Sequence, residues 1–361
     1  MIAHSKAEYL MSIKVKADEI HMAEQDDDAL WFKLDELVWS CAISQAVHVA
    51  VELGIPELLQ AGRKSAGELA ATTSSDEATL ESILFALAAF EVLDMDDSEH
   101  FSLTELGTLL LKSKPGIPEE AGVFFETIYK PLGSLLTSAQ TGETAFEHVF
   151  KMTFYEYLSR NPSIGRFFNE QMIRNAPTRY GGISSLYDFS RIEKIVDVGG
   201  GQGGLLLQLL PQQPHLTATL LDLPNVVQNA HERIEAAGLS DRCRIVGGNF
   251  LESVPSGGDL YILASVVNNL RDDNAIRLLK NCRAAMGING KLLILEALRK
   301  FGERPSRWAA LVRLGIAAQR GAYRSRTETR YRELLKHAGF ELSKIEYRQS
   351  EPRTVIEATP A

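Results

Sequence analysis

Cysteine is scarce in this sequence. Cys41, Cys243 and Cys282 are the three among 361 residues, and they lack the close spacing that a zinc site or a disulfide scaffold needs. They read as buried thiols in a reducing cytoplasm. Long apolar runs are also missing. None approaches the ~20 residues that cross a bilayer, and the N-terminus is too polar for a signal peptide, so no membrane association is expected. Basic residues are scarce in one stretch. Residues 1–110 hold 6 Lys and Arg against 21 Asp and Glu, a balance of −15 within a net charge of −9, which repels nucleic acid. Between Arg299 and Arg332 the sign reverses, with 10 basic residues against 2 acidic ones. That segment either faces acidic neighbours, in the chain or in a dimer partner, or walls a pocket for an anionic substrate.

What is present divides into four parts. A chain of 361 residues exceeds one ordinary core. Residues 1–28 are polar and form an arm. Residues 29–112 begin with an apolar run at helical spacing, too apolar for a solvated helix, which points to a dimer core. Ser65 and Ser75 are placed to cap the next helices, and a small hairpin completes a winged-helix-like unit. Residues 113–185 are helical and rich in aromatics, most of them core and a few available to a planar ligand. Residues 186–361 alternate strand and helix, with strands at KIVDV, TATLLDL, CRIVGGN, DLYILAS, KLLILEAL, LSKIEYR and RTVIEA. That order predicts an α/β, Rossmann-like doubly wound sheet with its ligand at the carboxyl ends of the strands.

The phrase VDVGGGQGG, Val196 to Gly204, carries the chemistry. Glycines let backbone approach a ligand, and the helix start that follows attracts its anionic end. Asp222, 25 residues after Asp197, ends the next strand and can accept from ribose hydroxyls. Gly199, Gly201 and Gly204 satisfy the dinucleotide pattern, while Asp197 two residues before the first glycine favours a ligand with an ammonium group, as in S-adenosyl-L-methionine.

VAVELGIPELL, SLYDFSRIEKIVDVGGGQGG, LDLPNVV, GGNFLESVPSGGDLYIL, AIRLLKNCRAAM and ELLKHAGF together resemble the plant-type and bacterial small-molecule O-methyltransferases, in family order and along nearly the whole chain. The resemblance implies a class I methyltransferase fold, S-adenosylmethionine as cofactor, and a homodimer joined through the N-terminal domain. By position, it implies that Gly199 and Gly201 face the methionine moiety, that Asp222 and Leu223 face the ribose, and that Asn249 and Phe250 frame the adenine. Ala264 stands where the family often has Lys, Arg or Ser. Asn249 stands where it usually has Asp. The family histidine that deprotonates the acceptor is replaced by Asn268, and of the two acids that orient it Glu296 is retained while Ser325 replaces the other.

An amide is no base at neutral pH. The sequence near Asn268 resembles the phenazine-carboxylate N-methyltransferases more than the caffeate-type enzymes, which implies an aromatic or polyketide-like acceptor at N, C or an acidic O, and the basic segment would suit a carboxylated one. Arg320, Arg324 and Arg326 are candidate carboxylate clamps. Met172, Trp308 and Val312 are candidate apolar walls, and Asn268 and Asn269 either contact substrate or cap local backbone. Two other readings stay open: a non-methylating hydroxylase, cyclase or pericyclase that uses the cofactor charge, and a non-catalytic binding subunit. No metal site is expected.

Overall fold

The computed structural model describes residues 27–114, 122–298, 304, 306–320, 326–347 and 354–361. The polar arm lies almost wholly outside the described residues, as do Arg324 and Ser325. The chain forms two compact units, Met1–Gly122 and Val123–Ala361.

In the first unit the apolar run forms α1 (Asp27–Glu52) and α2 (Ile55–Leu59), separated at Gly54, whose φ of 68° ends a helix without a Cβ clash. α3 (Ala66–Thr73) and α4 (Glu77–Ala89) pack beside an antiparallel sheet of β1 (Lys64–Ser65), β3 (His100–Leu103) and β2 (Leu93–Met95). Ser65 forms a capping box with Glu68. Asp76, not Ser75, caps α4, because its carboxylate accepts the Thr79 N–H at 2.9 Å. The core is Leu69, Leu80, Leu84, Leu87 and Phe101. The first half of α1 is uncovered nearly all round, and its apolar residues Leu30, Trp31, Leu34, Leu37, Val38 and Trp39 are 62–70% exposed. Cys41 shares that exposure, so only Cys243 and Cys282 are the buried thiols expected.

The second unit is built on seven strands in the order β6-β5-β4-β7-β8-β10-β9. These are β4 (Lys194–Val198), β5 (Thr217–Asp222), β6 (Cys243–Gly247), β7 (Leu260–Ala264), β8 (Lys291–Glu296), β9 (Phe340–Glu346) and β10 (Thr354–Pro360). β4 to β8 pair in parallel, and β10 enters antiparallel between β8 and β9. The parallel strands are apolar on both faces because both are covered. Ile195, Leu220, Ile262 and Leu293 enter one core; their neighbours Val196, Leu221, Leu263 and Ile294 enter the other, as period-two alternation requires. α5 (Pro162–Arg174) and α6 (Ala176–Tyr180) lead into the sheet, and α7 (Gly204–Leu209) follows the glycine turn. α8 (Asp272–Ala285) buries Ala275, Leu278, Leu279 and Cys282, one helical stripe. α9 (Arg307–Arg320) and α10 (Glu328–His337) follow β8 in the chain. None of the described helices is long and apolar enough to cross a membrane.

Candidate active site

β4, β5, β7 and β8 end on one rim, beside a cleft of about 580 Å³. Of the expected residues, it is lined by Asp197, Gly199, Gly201, Asp222, Leu223, Ala264, Asn269, Glu296, Met172 and Arg320.

The glycine turn is shaped by what lies beneath it. A Cβ on Gly200 would stand 2.3 Å from Asp197 Oδ2 and 2.5 Å from Leu220 Cδ1, so no other residue fits there. Gly201 has φ 64° and open space at its Cβ position, which leaves its backbone approachable from the cleft. Its N–H donates to Asp222 Oδ2 at 2.7 Å, and the Leu223 N–H donates to Oδ1 at 2.7 Å. Burial nevertheless moves the Asp222 carboxyl up, against those two hydrogen bonds. Asp197 is fully buried, and neither of its carboxylate oxygens has a hydrogen-bond partner among the described residues. Burial first, and the Asp222 charge second, push it up to about 7. Such a group is matched by a ligand that brings a cation, and an amino-acid ammonium answers that need. The donor set therefore fits an adenosylated amino acid.

Asn268 is placed differently from the expectation. It is fully buried and is not among the cleft walls. Its Nδ2 donates to Glu296 Oε2 at 3.0 Å and to the Ala297 carbonyl at 3.2 Å, its N–H donates to Glu296 Oε1 at 3.1 Å, and its Oδ1 accepts from Tyr331 at 2.9 Å. The amide is saturated. Asn269 reaches the cleft but donates to the Ser265 carbonyl at 2.7 Å, a local cap. Asn249 and Phe250 stay on the β6 side of the rim and do not wall the cleft. Asn249 Oδ1 accepts the Leu251 N–H at 3.0 Å, while the Phe250 ring packs 3.4 Å from where a Gly199 Cβ would stand.

Trp308 and Val312 are solvent-facing instead, 75% and 39% exposed. The i, i+4 row they start drifts about 40° per step, and only its later members, Ile316 and Arg320, reach the cleft. Arg326 is no clamp. It is 3% exposed, with Nη1 on the Val267 carbonyl at 2.6 Å, Nη2 on the Leu270 carbonyl at 2.7 Å, and Nε and Nη2 on Asp272. Its three nitrogens hold the loop that carries Asn268 and the first residue of α8. Arg320 keeps a free edge among the described residues. Its guanidinium lies 5.0 Å from the Phe154 and Phe168 ring centroids, and Phe168 is itself a cleft wall.

Ser265 and Tyr180 were missed by sequence reasoning. Ser265 holds φ 60°, unusual without glycine, and its hydroxyl is 3.5 Å from Tyr180 OH. Nothing in the sequence marks that backbone, because the strain is imposed by tertiary pairing: the Ser265 N–H donates to Leu295 at 3.0 Å. Gln202 was missed inside the motif itself, where Arg233 holds its carboxamide at 3.0 Å.

The chain belongs to the O-methyltransferase family: residues 129–341 match its O-methyltransferase domain and residues 36–113 its dimerisation domain. It is an S-adenosylmethionine-dependent methyltransferase. It is 34% identical over 321 residues to a phenazine O-methyltransferase of Lysobacter antibioticus, covering 88% of this chain and 93% of the relative. It is 31% identical over 317 residues to the phenazine-1-carboxylate N-methyltransferase of Pseudomonas aeruginosa, covering 87% and 93%. Among solved structures, an O-methyltransferase from neocarzinostatin biosynthesis, in complex with S-adenosyl-L-homocysteine and 1,4-dihydroxy-2-naphthoic acid, superposes with a TM-score of 0.76 at 27% identity, covering 88% of this chain and 96% of that one.

Proposed function

We propose that this protein methylates a small aromatic or polyketide-like secondary metabolite at N, C or an acidic O, positioning the acceptor instead of deprotonating it through histidine. The observation that carries this reading is the saturated amide of Asn268 at the family's base position. S-adenosylmethionine supplies a methyl already activated on a sulfonium. Asp222 and Leu223 hold the ribose, Asp197 receives the ammonium, Gly199 and Gly201 admit the methionine chain, and Ala264 borders the adenosine side, with Asn249 and Phe250 outside the cleft wall on the β6 side. Met172, Phe168 and Ile316 wall the acceptor, Asn269 and Glu296 border its reacting end, and Arg320 meets an acceptor anion. Alignment of reactants is worth up to roughly 7–11 kcal/mol, whereas a base adds about 10²–10⁴-fold. A nucleophile that is already acidic or basic loses little without one. Relatives named for O-methylation and for N-methylation span both acceptor types.

The dimerisation domain and the uncovered first half of α1 support a homodimer, and the free cysteines suit a reducing cytoplasm. The same missing base also favours a second reading, non-methylating catalysis that uses the cofactor charge. Mass spectrometry separates the two. Incubation with methyl-labelled cofactor and a panel of aromatic acids, phenols and heteroaryl amines should give enzyme-dependent S-adenosylhomocysteine and a labelled product. An unlabelled product formed only in the presence of cofactor would establish the second reading instead.

A further inference from the structure

The carboxylate-binding role given to Arg320 rests on the function proposed above. The way its guanidinium is held says which carboxylates fit. Thr127, 1% exposed, donates its hydroxyl proton to the Val123 carbonyl at 2.7 Å. That proton is spent, so toward Gln319 the Thr127 oxygen can only accept. It accepts from Gln319 Nε2 at 2.9 Å. Gln319, 4% exposed, thereby has its amide orientation set, since the flipped amide would place an oxygen against Thr127 and an NH₂ against another donor. Its Oε1 is left to accept from Arg320 Nε at 3.0 Å. The polarity runs in one direction, from a backbone carbonyl out to a guanidinium.

The rest of the guanidinium is defined by packing. The rings of Phe154 and Phe168, each 5.0 Å from Cζ, hold it without competing for its N–H groups. Neither Nη1 nor Nη2 has a hydrogen-bond or carboxylate partner among the described residues, and the residue lines the cleft. With Nε occupied, the free edge is the Nη1–Nη2 end, which matches the two oxygens of a carboxylate.

We propose that Thr127 and Gln319 are positioning residues that hold Arg320 with its Nη1–Nη2 end free, making the cleft select planar aromatic carboxylates over neutral isosteres. Gln319 follows no sequence motif; the i, i−1 neighbour of a clamp is normally turned away from it, and here the side chain folds back.

The test measures equilibrium binding of phenazine-1-carboxylate and of benzoate, each against its primary carboxamide, by calorimetry on the full chain with S-adenosylhomocysteine present. The wild type should prefer the carboxylates by about 10- to 100-fold, the range for a charged hydrogen-bonded pair. Gln319→Met and Thr127→Val should lose most of that preference while carboxamide affinity and cofactor affinity stay within about twofold, and Thr127→Ser should restore the wild-type ratio. Equal or absent binding of acid and amide by the wild type would overturn the proposal. So would variants that weaken acid and amide alike, since that is the mark of a general packing defect. Methyl transfer is read separately as S-adenosylhomocysteine release in reactions started with S-adenosylmethionine. Preference without release would defeat the methylation reading and leave this one standing; release without preference would do the reverse.

Discussion

Tyr331 donates its phenol proton to Asn268 Oδ1 at 2.9 Å, and this turns the Asn268 NH₂ toward Glu296. Three buried side chains from β8, α10 and the loop after β7 thus close on one another. The result is a brace beside the cleft.

Replacing the brace should cost stability more than turnover. Asn268→Ala leaves Glu296 and Tyr331 each short of a partner, and about 1–3 kcal/mol should be lost in denaturant titration. Turnover with labelled cofactor should fall by less than the about 10²–10⁴-fold that a lost base costs. A larger fall would give Asn268 a direct part in the chemistry.

Asp222→Ala removes both carboxylate oxygens that the turn N–H groups hold in place. Cofactor affinity should drop by about 10²-fold or more, the cost of two charged hydrogen bonds. Unchanged calorimetric affinity would take the ribose away from Asp222.

Asp197 should leave a pH signature. Its carboxyl is pushed from 3.8 up to about 7, mainly by burial and then by Asp222. Folding therefore takes up a proton between those values, and the stability linked to it is complete below the ordinary carboxylate range and lost as pH rises through 7. The melting temperature of cofactor-free protein should fall between about pH 4 and pH 7, and Asp197→Asn should flatten that fall. Cofactor affinity should move the other way, rising as the carboxylate ionises. An equal slope in the Asn variant would place the titration elsewhere.

Gly200→Ala should be worse than Gly201→Ala despite the positive φ of Gly201. The first forces a methyl within 2.3 Å of a fixed carboxylate, whereas the second meets only open space. Overpacking costs about 1–3 kcal/mol, against about 1 kcal/mol for a left-handed alanine. Thermal melts rank the two directly.

Arg320→Met and Arg326→Met, six residues apart, should separate cleanly. Loss of Arg326 strips Asp272 and two loop carbonyls of a buried donor and should cost roughly 3 kcal/mol of stability. Loss of Arg320 takes the donor from one buried acceptor, Gln319 Oε1, so it should cost less, about 1 kcal/mol, and weaken acidic acceptors only. Equal destabilisation by both would return Arg320 to a structural role.

All seven strands of the large sheet were legible, most plainly β4, β7 and β8, which are parallel, buried on both faces and written as apolar runs, and VDVGGGQGG gave the turn and Asp222 its partner. The antiparallel entry of β10 was not, since strand direction depends on the connection and leaves no periodic trace. Residue type identified Arg320 and Arg326 equally well as clamps; only packing tells a guanidinium with a free edge from one with none. Trp308 and Val312 were misplaced for a geometric reason, as a helical row shares one face only over a turn or two. Ser265 was invisible because its backbone is bent by a neighbouring strand.

The uncovered first half of α1 has one more consequence. Leu30, Trp31, Leu34, Leu37, Val38 and Trp39 are half of a core, turned outward. The dimerisation domain that contains them supports a second chain as the other half, which makes protein concentration a thermodynamic coordinate: dilution should act as a denaturant, and the melting temperature should climb with the amount of protein in the tube.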